Sequence, residues 1–363
     1  MLTNLIEILI FGALFLLSFI LISNPLKVNI RANRWFGMFL LLWASYWIDE
    51  LVYVITGVKP QINSLVPIAL LQFLTPVVFF TSISFFTNPA IRISKKSLWH
   101  LGLPLVYLIA LLLKQKLGGQ FYALQLTLIL VNALFYTIVS LLRIRKHQRN
   151  IQQFASSTQE INLNWLEYII YAIIVLTLGI GVFNLVFFEL PLNVFMNGVV
   201  LVIVFFIAYN SLKQDEIFPR DDQGKSELIS LSEIEKVEEP KRQLVSDDKV
   251  NEVKLLLNDL MENKELYLDS DLNLIKLAKQ LHVSSHQLSY IINRGYNENF
   301  FQFVNRFRVE KAKRMLTDNK NDKLSILGVA FESGFSSKTS FNTTFKKMTA
   351  LTPSEYKKVS SGL

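Results

Sequence analysis

No cysteine occurs in the 363 residues, which excludes disulfides and thiolate metal sites. Histidine is nearly as scarce, and the four residues form no ligand cluster. A glycine-rich phosphate loop and a nucleophile motif are missing too, so no catalytic residue, metal or cofactor is assigned and an enzyme is not expected. Charged residues make up only 18% of the chain against 51% hydrophobic. With a positive mean hydropathy, this is the composition of a chain with a large membrane-embedded part.

Seven apolar stretches fill the first 212 residues: Leu2–Ile22, Trp35–Thr56, Leu65–Phe86, Leu98–Leu113, Phe121–Leu142, Trp165–Phe188 and Leu192–Leu212. Most approach the roughly 20 residues that cross a hydrocarbon core. The fourth is short and contains Pro104. The first has no basic flank and no small-residue cleavage site, and is read as a span rather than a signal peptide. Basic residues alternate along the connections. The first, third and fifth carry Lys27/Arg31/Arg34, Arg92/Lys95/Lys96 and Arg143/Arg145/Lys146/Arg149, while the second and fourth carry Lys59 and Lys114/Lys116 and the sixth none. By the positive-inside rule the odd connections and everything after Leu212 are cytoplasmic, with the N-terminus outside. The fifth connection, the longest, is expected to form a surface helix beside anionic lipid or to act only as a topology determinant.

From 213 to 248 the composition turns to Asp, Glu, Lys and Ser with Pro219 and Pro240, the pattern of a disordered acidic tether spanning on average roughly 30–35 Å. Lys249–Met261 then reads as an amphipathic helix opening a domain that runs to residue 363.

That domain contains one pattern twice. In the first copy Leu274, Leu277, Ala278 and Leu281 share a helical face, His282-Val283-Ser284 interrupts it, and a second helix starts at Ser284 or Ser285 with Leu288, Ile291 and Ile292 on its inner side. His286, Ser289, Tyr290 and Asn293 then face outward. In the second copy Ile326, Leu327, Ala330 and Phe331 are expected inside, Gly334-Phe335 makes the turn, and Phe341 and Phe345 anchor a helix whose outward residues are Lys338, Thr339, Asn342 and Thr343. Between them, Phe300–Thr317 has neither Gly nor Pro and keeps a helical period, so it is predicted as one connecting helix. Outward Asn, Thr, His, Tyr and Lys match base-edge donors and acceptors of the major groove. Two such helices held apart by a third would read two successive grooves about 34 Å apart on double-stranded DNA. Lys276–Leu363 holds fifteen Lys/Arg against six Asp/Glu, an excess suited to phosphates. Arg308 and Lys313 on the connecting helix read as phosphate contacts or as a solvated face paired with Glu310.

The segments LAKQLHVSSHQLS, FVNRFRVEKAKRML, GFSSKTSFNTTFKK and LTPSEYKK together resemble the C-terminal DNA-binding domain of AraC/XylS-type bacterial transcription regulators, over about 250–358. The resemblance implies base contacts from His286, Ser289 and Tyr290 in one helix and from Lys338, Thr339, Asn342 and Thr343 in the other. Two positions where the family usually has glycine carry Asn297 and Ala350. Asn tolerates a left-handed conformation, whereas Ala there would cost about 1 kcal/mol, so a different turn shape is expected at Ala350.

Within the apolar part Asp49 and Glu50 stand out. Asp49 lies about 21 Å from Trp35 along a helix, within a core of about 30 Å, so the pair is a candidate signal site or a group snorkelling to the outer interface. Asn132, Asn184 and Asn197 are read as bridges between helices, and Pro76 and Pro104 as kinks. The expected architecture is therefore all-α: a seven-helix transmembrane bundle (1–212), a tether (213–248) and a double helix-turn-helix domain (249–363) in the bacterial cytoplasmic membrane. Expected partners are promoter DNA, the lipid bilayer and RNA polymerase, with a second copy of the chain and an unidentified signal ligand as further candidates. A transporter or enzyme with a regulatory DNA-binding tail, and a latent factor released by cutting the tether, stay open as alternatives.

Overall fold

The computed structural model describes residues 2–58, 60–92, 94–158, 161–186, 194–218, 245–318 and 324–360. The fold is all-α. Among the described residues there is no β-strand, although Ala155 and Asn273 meet in an isolated antiparallel bridge. The chain divides into two compact units, Met1–Lys146 with Leu163–Ile217, and His147–Asn162 with Phe218–Leu363.

The first unit is built from α1 (Leu2–Ser23), α2 (Ile30–Ala44), α3 (Ile48–Thr56), α4 (Val66–Phe73), α5 (Thr75–Thr87), α6 (Gly102–Leu112), α7 (Lys114–Leu117), the greater part of α8 (Gln120–Ile151), α9 (Asn164–Val186) and α10 (Val194–Lys213). Among the described residues, five helical segments are long and apolar enough to cross a membrane: Asn4–Ser23, Ile30–Thr56, Val66–Thr87, Gln120–Ile151 and Met196–Lys213. Two of the seven expected spans correspond to shorter apolar helices, Ser97–Leu112 and Asn164–Gly179.

Helix α1 packs on α2 and α10, and α2 packs on α5. The α1–α2 contact is close because Gly37 has no side chain: a Cβ there would lie 2.7 Å from Ile22 Cγ1 and 2.9 Å from the Ser18 carbonyl. Ser18 Oγ donates to the Gly37 carbonyl at 2.8 Å across the same seam, a contact that small residues permit by letting two helix backbones approach closely. Phe36, Phe79, Phe86 and Trp165 fill the interior. Phe19, Leu16, Val175, Val202 and Phe205 stay exposed on the outer faces. Apolar side chains thus cover both the inside and the outside of this unit.

Two spans are interrupted, one of them beside the kink read at Pro76, and side chains take up the freed backbone groups. Pro76 has no N–H to give the Gln72 carbonyl, and the helix breaks at Leu74 between α4 and α5. Tyr46 Oη at 3.0 Å and Thr75 Oγ1 at 2.7 Å donate to that carbonyl instead. Asn132 Nδ2 donates to the Phe73 carbonyl at 2.7 Å, the helix bridge read for it. The second span leaves α-geometry at Ser45–Trp47, a 3-10 turn with no proline to announce it. There Gln72 Nε2 donates to the Ser45 carbonyl at 3.1 Å. Asn197 bridges to Glu7 Oε1 at 3.1 Å, while the Asn184 side chain lies outside the described residues.

Most of the predicted tether, 219–244, lies outside the described residues. Its first residues are held: Asn29 N donates to the Glu216 carboxylate at 3.2 Å, Ile217 N donates to Asn29 Oδ1 at 3.2 Å, and Trp165 Nε1 donates to Gln214 Oε1 at 2.7 Å. At its far end the next helix, α11 (Asp247–Glu262), begins two residues before the expected start, because Ser246 Oγ caps it by accepting from Lys249 N.

Candidate nucleic-acid interface

The C-terminal part of the second unit opens with α11, which buries Val250, Val253, Leu257, Leu260 and Met261 along one stripe. The first helix-turn-helix follows. Helix α12 (Leu274–Gln280) is capped by Asn273, whose side chain accepts from Lys276 N. The turn passes through His282 at φ 52°. Helix α13 (Ser285–Tyr296) starts on a capping box in which Ser284 and Gln287 exchange hydrogen bonds. Leu288, Ile291 and Ile292 are buried as the period requires, and Asn297 ends the helix in the left-handed conformation anticipated for it.

Helix α14 (Phe300–Thr317) is the single connecting helix predicted, entered through a second capping box between Asn299 and Gln302. The second helix-turn-helix consists of α15 (Ile326–Glu332) and α16 (Lys338–Thr349), capped by Ser325 and Ser337, followed by α17 (Pro353–Ser360). Its core joins Val309, Ala312 and Leu316 of α14 to Val329, Ala330, Phe335, Phe341 and Phe345. The inner face of α15 differs from the expectation. Val329 and Ala330 are buried with Ile326 packed beside them, whereas Leu327 and Phe331 are 40% and 54% exposed. One residue of helix turns the face by about 100°, so only one of the two neighbouring stripes can meet Phe341 and Phe345. Ala350 also departs from the reading: it keeps the left-handed turn, at φ 65°, and carries the strain of its Cβ.

The candidate DNA-contacting residues fall on the two recognition helices. On α13, Asn293 is exposed and His286, Ser289 and Tyr290 are half-buried. Tyr290 Oη accepts from Arg294 Nη1 at 2.7 Å, and Arg294 pairs with Asp247 at 2.9 Å, so the tyrosine is oriented by an arginine the sequence reading did not select. On α16, Lys338, Thr339 and Thr343 are exposed and Asn342 is half-buried. Lys346 and Lys347, also exposed, continue that face toward the helix C-terminus. They were missed, although Lys346 lies four residues after Asn342, a spacing that was available as a signal.

Arg308 is neither a phosphate contact nor part of a solvated face. It is 1% exposed. Its Nε donates to the Tyr267 carbonyl at 2.7 Å and its Nη2 to the Asp269 carbonyl at 2.8 Å, and its guanidinium carbon lies 5.8 Å from the Phe335 ring centroid. Burial pushes the guanidinium down to about 10, against the opposing pull of Asp269 and Asp271, so it stays charged at neutral pH. The turn it grips is fastened again by Glu265, which accepts from Lys311 Nζ at 3.0 Å and Tyr267 Oη at 2.8 Å. The Lys311 hydrogen bond chiefly holds the Glu265 carboxyl below its usual range. Lys313 does pair with Glu310, at 2.8 Å.

In the first unit, Asp49 and Glu50 lie in the first turn of α3. Asp49 is buried, and its carboxylate accepts from the Ile62 and Asn63 amides at 2.8 and 3.3 Å. Glu50 is half-buried. Among the described residues no cluster of three or more His, Asp or Glu could hold a metal ion.

Residues 277–358 match the profile of a helix-turn-helix domain family. An uncharacterized HTH-type transcriptional regulator of Staphylococcus aureus (strain COL) is 34% identical over 114 residues, which cover 31% of this chain and 14% of that protein. The counterpart in strain MRSA252 matches at the same identity and coverage. An uncharacterized HTH-type regulator encoded in the cgkA 5′ region of Pseudoalteromonas carrageenovora is 29% identical over 119 residues, 32% of this chain and 68% of that protein. The chain thus spans about a seventh of the length of the staphylococcal relatives it matches. No solved structure matches significantly. The C-terminal part of this chain is an AraC-type helix-turn-helix domain of the kind found in transcriptional regulators.

Proposed function

We propose that the chain is a multi-span membrane protein whose C-terminal domain binds promoter DNA in sequence-specific fashion, with 1–212 in the bacterial cytoplasmic membrane, 213–248 as tether and 249–363 as the DNA-binding part. The observation that carries the DNA reading is the pair of capped helices, α13 and α16, with polar outer faces joined by the unbroken α14. His286, Ser289, Asn293, Thr339, Asn342 and Thr343 meet base edges, with Tyr290 poised by Arg294 and Lys338 at the entrance of α16. Lys346 and Lys347 meet phosphates. The apolar outer faces of the first unit support immersion in lipid. Residues 147–162 belong to the same compact unit as the helix-turn-helix helices, which supports the reading that the fifth connection and the DNA-binding domain lie on the same side, as the alternation of basic connections suggests. RNA polymerase and a second copy of the chain are the expected further partners.

The test uses the full chain in lipid nanodiscs, with duplexes selected by it from a random pool. Affinity should fall steeply with salt, and Asn342→Ala should cost about 1–3 kcal/mol at particular base pairs, while Lys346→Ala weakens all sequences alike. Reporter fusions after Lys114 and Lys213 should report outside and inside. Failure to enrich any sequence sinks the DNA reading, and a cytoplasmic Lys114 fusion sinks the seven-span topology.

The membrane part is proposed to sense a signal through Asp49 and Glu50. Asp49 anchors Ile62 and Asn63, and Asn63 Oδ1 in turn accepts from Gln72 Nε2 at 2.8 Å beside the Pro76 break. A ligand competing for that carboxylate would loosen the broken region of α4 and α5. Asp49→Asn with Glu50→Gln should leave membrane insertion and DNA selection intact and lock transcription from a target promoter. A normal response of the double variant to changed outside conditions would return both residues to scaffolding.

A further inference from the structure

The fifth connection, read as a surface helix or a topology determinant, begins as an unbroken continuation of α8 to Ile151, and the residues after it are built into the DNA-binding unit. Phe154, Ala155 and Ser156 are all buried. Their backbone serves as a cap for two helices. The Gln152 carbonyl accepts from Phe301 N at 3.0 Å and the Phe154 carbonyl accepts from Leu274 N at 2.9 Å, satisfying first-turn amides of α14 and α12 that have no partner inside their own helices.

Ser156 is the centre of the contact. Its Oγ donates to the Leu272 carbonyl at 2.5 Å. Its carbonyl accepts from Asn305 Nδ2 at 2.9 Å and Arg308 Nη1 at 3.3 Å, and its Oγ accepts from Arg308 Nη2 at 3.1 Å. Phe301, Asn305 and Arg308 are spaced at i, i+4 and i+7, so the segment runs along one face of the connecting helix. One residue further, Ser157 Oγ lies 2.9 Å from Ser336 Oγ, in the turn of the second helix-turn-helix. Six residues therefore touch the first half at Leu272–Leu274, the connecting helix, and the second half at Ser336. Arg308, held by the Tyr267 and Asp269 carbonyls on one side and Ser156 on the other, ties the three together.

Resting on the reading of this chain as a membrane-embedded DNA-binding regulator, we propose that residues 152–157 form a clasp that holds the two helix-turn-helix halves in one arrangement, and that opening the clasp is the step by which the membrane part lowers DNA affinity. The contacts are those of a shaped site rather than a passing loop. Two are to helix-end amides and four converge on one buried serine. Helix α8 runs from Gln120 to Ile151 and leads directly into Gln152, so the clasp is the next stretch of chain after the apolar helix. With the clasp closed, the two recognition helices are preorganised for one spacing of grooves. With it open, the halves bind as more loosely coupled modules, and apparent affinity falls by the fraction of molecules still closed.

The absence of cysteine makes the test clean. In Ser157→Cys/Ser336→Cys the new thiols replace hydroxyls already in contact, within easy reach of the roughly 2.05 Å of a disulfide. The pair is made with and without Ser156→Ala in the full chain, purified in nanodiscs, oxidised with copper phenanthroline and mapped by mass spectrometry of tryptic peptides. Binding is measured to the duplex selected from a random pool by the unmodified protein. An intramolecular disulfide should form rapidly with Ser156 present and roughly tenfold more slowly with Ser156→Ala. Ser156→Ala should weaken DNA binding roughly tenfold when reduced, and oxidation should restore it, which a merely misfolded domain would not show. No intramolecular disulfide, a disulfide joining two chains, or a DNA affinity indifferent to both Ser156→Ala and oxidation would each overturn the clasp. If no duplex is selected, the DNA-binding reading falls and the control step with it, whereas disulfide yield still reports whether the segment docks.

Discussion

Arg308→Met is expected to destabilise the second unit by about 3 kcal/mol, because the Tyr267 carbonyl loses its charged donor outright and the Asp269 and Ser156 carbonyls keep only Leu272 N and Asn305 Nδ2, with no water to replace the guanidinium. Two effects compete. Removing a charge that is 1% exposed relieves a desolvation penalty, and exchanging a whole buried ion pair for apolar residues is often neutral or better. Here only one side of the interaction can be exchanged, since most of the acceptors are main-chain carbonyls and stay behind. The unsatisfied acceptors therefore outweigh the relieved charge. Arg308→Lys should fall between the two, keeping the charge but reaching one carbonyl where the planar guanidinium reaches several. The measurement is the urea midpoint for loss of protease resistance of the second unit in the detergent-solubilised full chain. With a slope of about 1–1.5 kcal/mol/M for a unit of this size, the midpoint should drop by roughly 2–3 M. An unchanged midpoint for Arg308→Met would mean that the carbonyls find other donors.

Gly334→Val should act at the same place and through the backbone. Gly334 sits at φ +87°, and even a bare Cβ would lie 2.5 Å from the Tyr267 carbonyl oxygen and 2.8 Å from Leu268 Cα. Both neighbours are main chain, pinned by Arg308 and by the Glu265–Lys311 pair, so they cannot rotate away as a side chain would. Left-handed backbone costs about 1–2 kcal/mol for a residue with a Cβ, and overpacking adds about 1–3. The expected loss is about 2–5 kcal/mol, enough to leave the second helix-turn-helix partly unfolded. Hydrogen exchange should find the amides of α16 unprotected while those of α13 remain slow. Equal protection in the variant and the parent would show that the turn can move away from Tyr267 at little cost. Ala350, at φ 65°, adopts the same left-handed backbone on an exposed turn rather than against buried main chain.

Much of the second unit was legible because its determinants are local. Serine and asparagine caps at 284, 299, 325 and 337 set the helix starts, and the absence of Gly and Pro from Phe300 to Thr317 left the connecting helix no reason to break. The alternation of basic connections could likewise be read along the chain, since it depends on which residues flank each apolar stretch. The face of α15 was misjudged because Ile326, Leu327, Val329, Ala330 and Phe331 offer two apolar stripes, and only the position of Phe341 and Phe345 selects between them. The 3-10 turn at Ser45–Trp47 was missed because the group that compensates it, Gln72, is 27 positions away.

The sequence by itself determined that the folded parts are helical, that the first is rich in apolar stretches, and that the last carries two helix-turn-helix patterns with outward polar faces. Period, capping and hydropathy act over a few residues, so they need no knowledge of what lies opposite. What only the tertiary structure decided is the role of Arg308 and of residues 152–157. A charged residue on a helix with a basic, polar outer face looks solvated until its acceptors are known, and those of Arg308 come from 41, 39 and 152 positions away. No pattern in the residues around Arg308 encodes a hydrogen bond to a carbonyl that the rest of the fold must first bring there.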